Sequence, residues 1–348
     1  MKKNLLKIAS IVLAGSIALT ACNKKEDDPK PSGAYSNATF VVCEGTFGQN
    51  DGSIDAIIDG ELKKDVFQAE NNRPLGDVVQ SMTIIGDQAF IVVNNSGKVE
   101  AVNKHTFKSE GTCTGFSYPR YVANRNDNEI FVSNGNGYGN DYVYVVNKLS
   151  MQKTDSVATG FGPNTMVVSN GKLFVANSGG YLTDKSVTVI NVSTFKVEKT
   201  ITVGDNPYDM EVDKDGNIIV LCKGLTEYDA EWNPTVVSNT SIYTINSSSL
   251  TATATKEFDH QLASYGGNLI AYNNGTLYYI DDAVYSFANG TSTKLADGSF
   301  YGISASENGD IWVTETPYSS SHAAKQYDKD GKLIKTYSTS NYPNAMVF

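Results

Sequence analysis

Positive charge is in deficit along this 348-residue chain: 28 Lys and Arg stand against 38 Asp and Glu, a formal charge of −10. A chain this acidic gains little from releasing phosphate counterions, which excludes nucleic acid as an expected partner. Histidine is scarcer still, with only His105, His260 and His322, and neither H-E-x-x-H nor G-x-S-x-G occurs. Metalloprotease and hydrolase chemistry therefore have no motif to rest on, and no catalytic residue, resident cofactor or metal ligand set is expected. Of four cysteines, Cys43, Cys113 and Cys222 lie beyond residue 22, and no C-x-x-C is present. Three is odd, so at least one free, buried thiol is expected even where disulfides are permitted. Gly135-Asn136-Gly137-Tyr138-Gly139 is glycine-rich but opens no helix, so it is a poor phosphate cradle. Asp213-Lys214-Asp215-Gly216-Asn217 begins like a calcium loop but lacks the closing glutamate, and a hairpin turn explains it.

Long apolar runs are missing apart from Ile8 to Leu19, which follows Lys2, Lys3 and Lys7. That pattern is a secretory signal, too short for a stable membrane span. It ends on Leu19-Thr20-Ala21-Cys22, which resembles a bacterial lipobox. The resemblance implies that residues 1–21 are a signal peptide, cleaved before Cys22, and that the Cys22 sulfur is diacylated as a membrane anchor. Residues 22–36 then read as lipidated Cys and tether, because Pro, Gly and charge without an apolar face make a flexible linker. The cluster Glu26-Asp27-Asp28 behind the lipid Cys resembles the surface-export signal of Bacteroidetes lipoproteins. It implies an outer-membrane lipoprotein facing the cell exterior; a periplasm-facing lipoprotein with a solvated spacer is the alternative.

What the chain does have is repetition. Length alone suggests two domains, but residues 37–348 obey one period. Pro119, Pro163 and Pro207 are separated by two steps of 44 residues, in Tyr118-Pro119-Arg120, Gly162-Pro163-Asn164 and Asn206-Pro207-Tyr208. Each is followed by an apolar strand (Ile130–Asn134, Leu173–Asn177, Ile218–Cys222), an alternating strand such as Ser186–Asn191, and a last strand such as Lys196–Ile201. Four short strands per repeat without helical period, in a chain with 30 Gly and 20 Tyr, specify a β-propeller blade. Weaker copies open at Gln80, Asn268 and Tyr301. A final copy, Tyr342 to Phe348, stops after one strand; Thr39–Gly45 and Ser53–Ile58 supply the missing ones. The expected fold is all-β: a single seven-bladed propeller with four-stranded blades, closed by N- and C-terminal strands sharing one blade, which removes free sheet edges. Met82, Met166, Met210 and Met346 recur at one repeat position, where a flexible thioether packs the core between blades.

The strand-Asn loops and G-x-x-P turns resemble the YVTN/YncE-type seven-bladed propellers. The stretches Leu75–Met82, Ile91–Ser96 and Thr114–Tyr121 are similar to one branch, the surface lipoprotein propellers of Bacteroidetes that include the BtuG cobalamin-capture proteins. The resemblance implies capture of a corrinoid as transported ligand, and its transfer to a TonB-dependent outer-membrane transporter. A glycan- or protein-binding propeller and a metal-dependent lyase or lactonase, with Asp209 and Glu211 near the channel, are the other readings.

The residues after each repeat anchor are Gln80, Arg120, Asn164, Tyr208, Asn268, Tyr301 and Asn344. All can donate hydrogen bonds and none is acidic, so a polar ring around one channel mouth is expected to bind ligand. The outer loops add Phe47, Tyr138, Tyr142, Tyr181, Tyr228, Trp232 and Tyr318 among Gly, Ser and Asn, a mixture suited to recognition. Tyr138, Tyr181, Tyr228, Trp232 and Tyr318 join the expected ligand site. The long insertion Lys223 to Thr240 reads as a flap over the mouth.

Overall fold

The computed structural model describes residues 32–263, 266–317 and 321–348. Cys22, with its leader, and Tyr318 lie outside the described residues. Seven four-stranded antiparallel sheets follow one another around a ring. Blade 1 runs Val79–Ile85, Gln88–Val93, Lys98–Asn103 and Ser109–Thr114, and blade 2 runs Pro119–Asn124, Glu129–Asn134, Tyr142–Asn147 and Lys153–Ala158. Blade 3 is Pro163–Ser169, Lys172–Asn177, Ser186–Asn191 and Val197–Thr202; blade 4 is Pro207–Val212, Ile218–Cys222, Ser241–Asn246 and Thr251–Glu257. Blade 5 is Ile270–Asn273, Thr276–Ile280, Ala283–Ala288 and Thr291–Asp297; blade 6 is Gly302–Ala305, Ile311–Glu315, Ala323–Tyr327 and Leu333–Ser338. Blade 7 joins the two ends of the ring: Pro343–Val347 is innermost, and Thr39–Cys43, Ser53–Ile58 and Glu61–Lys63 lie outside it.

The burial gradient across a blade explains its sequence. Second strands such as Lys172–Asn177 are apolar and buried because a neighbouring blade covers each face. Fourth strands such as Lys153–Ala158 are rim edges, exposed and rich in Lys, Thr and Ser, which blunts edge pairing. In blades 1 to 6 the register slips once between third and fourth strands, for example at Val145/Val146 and Val189/Ile190. Such bulges add local twist.

One turn recurs after the third strand. Asn103, Asn147, Asn191 and Asn246 each accept backbone N–H bonds from residues two and three further on. Four residues after each Asn, an apolar residue (Phe107, Met151, Phe195, Leu250) takes a left-handed conformation with φ of 50–57°. That strain is offset because Phe107, Met151 and Phe195 are buried in clusters between blades.

Adjacent inner strands are not sheet partners, so side chains stitch them. Ser81 Oγ donates to Arg120 O at 2.8 Å, and Thr165 Oγ1 donates to Tyr208 O at 2.9 Å. Met82, Met166, Met210 and Met346 are buried in four such clusters, as the repeat implies, and also line the central channel. Cys43, Cys113 and Cys222 are buried free thiols. The insertion in blade 4 is a hairpin, Leu225–Tyr228 with Pro234–Ser238. The Asp213 loop is the expected turn: Asp213 Oδ1 accepts from Asp215 N and Asn217 N. No helix among the described residues is long and apolar enough to cross a membrane.

Candidate functional site

Because each anchor starts an inner strand, the seven anchor residues gather at one end of the channel, but they do not form an open ring of donors. Arg120 is the hub: Nε donates to Asn164 Oδ1 at 2.9 Å and Nη1 donates to Gln80 Oε1 at 2.6 Å. Asn164 Nδ2 in turn donates to Tyr208 O at 2.7 Å, and Asn344 Nδ2 donates to Gln80 O at 3.0 Å. Gln80, Asn164 and Asn344 are buried. Their side chains are engaged as struts between blades. Tyr121 OH of blade 2 reaches Asn268 Oδ1 of blade 5 at 3.4 Å. Those blades are not neighbours, so this contact spans the channel and separates its two ends.

Two charged residues join this end that the anchors did not reveal. Glu44 accepts from Asn344 Nδ2 and from Tyr301 OH, each at 3.0 Å. Burial pushes its carboxyl up; the bonds from Asn344 and Tyr301 and the charge of Arg120 oppose the shift. Lys223 Nζ lies 3.6 Å from the centroid of the Tyr208 ring. Burial, then the Arg120 charge, lowers the Lys223 pKa to about 8, against the pull of Asp209. Both residues follow a second strand ending in cysteine, since Cys43 pairs with Pro343 and Cys222 with Pro207. Asn134 and Asn177 pair with Pro119 and Pro163 in the same way, so Gly135 and Ser178 occupy the equivalent position in blades 2 and 3. The repeat register, carried one residue past the second strand, is the signal that finds them.

The main concavity at this end is off-centre, a cavity of about 540 Å³ over blades 2 to 4. It brings together Arg120, Tyr208, Tyr181 and Tyr228 with Tyr118 and Lys223. Tyr118 OH and Tyr181 OH are 2.6 Å apart, and Tyr138 stacks on Tyr181 with centroids 5.8 Å apart. Trp232 sits at the tip of the blade 4 hairpin, 80% exposed, tilted against Tyr228 at 6.1 Å. The hairpin therefore forms one wall of the cavity through Thr226 and Tyr228, with Trp232 outside the lining. Gln80, Asn164, Asn268, Tyr301 and Asn344 do not line it. Phe47 is exposed, whereas Tyr142 belongs to a strand rather than a loop and packs on Tyr144.

The channel also holds a second cavity of about 480 Å³, lined by Asp209 and Glu211 and reached by two of the anchor residues, Gln80 and Asn268. Asp209 is buried and accepts backbone N–H bonds from Met210, Leu269 and Ile270. Burial lifts it to about 6 despite those bonds; burial and the Asp209 charge lift Glu211 to about 8. Among the described residues no group of three or more His, Cys, Asp and Glu is placed to hold a metal.

A carboxyl raised in the native state binds its proton more tightly than in the unfolded chain. Its contribution to stability is present below about pH 4 and declines as pH rises towards 8. Wild type is therefore expected to lose about 2 kcal/mol between pH 5 and 9 that Glu211→Gln retains, less than the full linkage because water reaches the channel. Denaturant melts of both proteins at the two pH values check this; parallel losses would contradict it.

The chain belongs to the family described as Domain of unknown function (DUF5074), whose model matches residues 37–348. No curated protein matches it. Among solved structures it is similar to a quinonprotein alcohol dehydrogenase-like protein from Bacteroides thetaiotaomicron, at 16% identity and a TM-score of 0.69, covering 90% of this chain and 78% of that one. A protein of unknown function from Desulfotomaculum acetoxidans matches at 13% identity and a TM-score of 0.65, over 89% of this chain and 99% of the other. A putative 6-phosphogluconolactonase from Bacteroides fragilis matches at 16% identity and a TM-score of 0.61, over 91% and 100%. At these identities the likeness concerns the fold.

Proposed function

We propose that this DUF5074 propeller is a capture protein that takes a small ligand into the off-centre cavity. The observation that carries the reading is the convergence there of Arg120 and Lys223 with four tyrosines, Tyr118, Tyr181, Tyr208 and Tyr228. A concave site of this volume, with rigid aromatic walls and a few polar groups, suits a small molecule held without covalent chemistry. The lipobox at Cys22 and the acidic tether place the propeller, on this reading, outside the outer membrane. The resemblance to the BtuG branch makes a corrinoid the first ligand to try and a TonB-dependent transporter its recipient. A glycan is the second candidate, favoured by the exposed faces of Tyr138 and Trp232 beside the cavity.

Calorimetric titration of the protein with cobalamin and cobinamide, beside a glycan array, tests this. Saturable heat and a corrinoid spectral shift at micromolar protein are expected, with affinity falling about tenfold in Tyr181→Ala, roughly 1.4 kcal/mol. Silence with corrinoids and a defined glycan hit would transfer the role to sugars; silence in both would sink capture of either ligand class. Trp232→Ala is expected to have the smaller effect, since Trp232 stands outside the lining.

A further inference from the structure

Resting on the capture reading, we propose that the cavity selects an anionic group, a carboxylate or phosphate ester, held between Arg120 and Lys223. The chain carries a net charge of −10, yet the lining of this cavity includes no Asp or Glu. Its charged residues are two cations.

Neither cation has a carboxylate partner in an ion pair among the described residues. Elsewhere the fold does pair its partly buried cations: Lys98 with Glu100, Arg125 with Glu129 and Lys325 with Glu315. Arg120 instead donates to two neutral amide oxygens, which fix its orientation without cancelling its charge. Those bonds use two of its five N–H groups, and the Tyr208 hydroxyl engages the guanidinium as well. Lys223 faces the Tyr208 ring, which attracts a cation but accepts no conventional hydrogen bond.

Glu44, whose charge meets that of Arg120, is engaged by Tyr301 and Asn344, and Asp209, which acts on Lys223, is engaged by three backbone N–H groups; neither lines the cavity. The neutral polar side chains in the lining are engaged as well: Ser178 donates to Gly162 O, Asn206 to Gly224 O and Gln261 to Ser238 O. The charged donors facing a ligand are those of the two cations; Tyr118 and Tyr181 share one hydroxyl hydrogen bond, and Asn136 adds a neutral amide. Two partly desolvated positive charges whose carboxylate neighbours lie outside the cavity gain from an incoming group that meets them directly. An anion of two or three oxygens matches a guanidinium edge and an ammonium. Lys223, whose proton is loosened by burial and by Arg120, would be held charged by such a group.

The test uses the full chain and inorganic phosphate as probe, followed by phosphorus NMR and calorimetry at low ionic strength. Saturable binding at one site is expected, weakened at least tenfold in Lys223→Met and in Arg120→Gln, and reduced by added chloride. Among the described residues Lys223 Nζ makes no hydrogen bond that holds the fold, so Lys223→Met remains informative if Arg120→Gln destabilises the ring. Phosphate that does not bind, or that binds wild type and both variants alike, overturns the proposal. The capture reading fails separately: corrinoid binding that survives both substitutions and ignores phosphate would keep capture and remove the anion. Phosphate saturation with neither corrinoid nor glycan binding would keep the anion and change the ligand.

Discussion

Gly302→Ala is expected to destabilise the propeller by about 3 kcal/mol or more, lowering its melting midpoint by roughly 6 °C or beyond. Gly302 starts the inner strand of blade 6, where the ring passes into blade 7. A Cβ at this position would stand 1.9 Å from Asn344 O and 2.8 Å from its carbonyl carbon. Both are backbone atoms and cannot rotate away. Gly302 is itself paired to Thr314, while the Asn344 side chain is bonded to Glu44 and Gln80. Relief therefore requires two blades to separate at the channel wall. Gly111→Ala is the milder comparison, because its Cβ would meet only the Met151 side chain, nearest atom Cγ at 2.8 Å. Thermal and denaturant melts should show a smaller loss for it, since a side chain can shift where a backbone carbonyl cannot. A Gly302→Ala protein melting within 2 °C of wild type would refute the argument.

Asp55→Ala is expected to cost about 3–5 kcal/mol, with Asp55→Asn intermediate. Asp55 is fully buried on the third strand of blade 7. Its Oδ1 accepts from Ser340 Oγ at 2.7 Å and from Asp65 N at 2.9 Å; its Oδ2 accepts from Ser340 N at 2.7 Å. Ser340 lies 285 residues away, in the turn that leads into the last inner strand. Alanine strands these three donors and the buried Cys43 thiol, whose Sγ donates to Oδ2 at 3.8 Å. Asparagine keeps one acceptor oxygen but turns an amide group against a donor. Equilibrium unfolding of the three proteins, with amide exchange at Ser340 as a local probe, should rank them in that order; equal stabilities would mean water replaces the carboxylate.

The fold was legible because its unit is short and its punctuation strict. Pro119, Pro163 and Pro207 all begin inner strands, and the second strands around Phe131 and Phe174 lie where the apolar runs are. The shared blade 7 could be read from an incomplete last repeat. The site was less legible, for a geometric reason. A repeat says which residues occupy equivalent places, but not which of them a neighbouring blade engages. Gln80, Asn164 and Asn344 have donors on paper and partners in the ring. Glu44 and Lys223 hid because their repeat position carries Gly135 and Ser178 elsewhere, so the register marks no charge there. The turn opened by Asn103, Asn147, Asn191 and Asn246 is regular enough to read from sequence once its physics is known: an Asn cap, three residues of which the last is Ser or Thr, then an apolar residue forced left-handed.

Blade 7 also sets an order of events. Its outer strands, Thr39–Cys43 and Ser53–Ile58, leave the ribosome first, and their inner partner, Pro343–Val347, leaves last. Until then the chain is an open arc whose two ends each present unpaired backbone, and the slowest contact spans almost its whole length. A chain made in that order completes no ring before Pro343–Val347 is available. That one strand thus acts as a quality check on the ring: a product lacking it would leave an edge for proteases and aggregation to find.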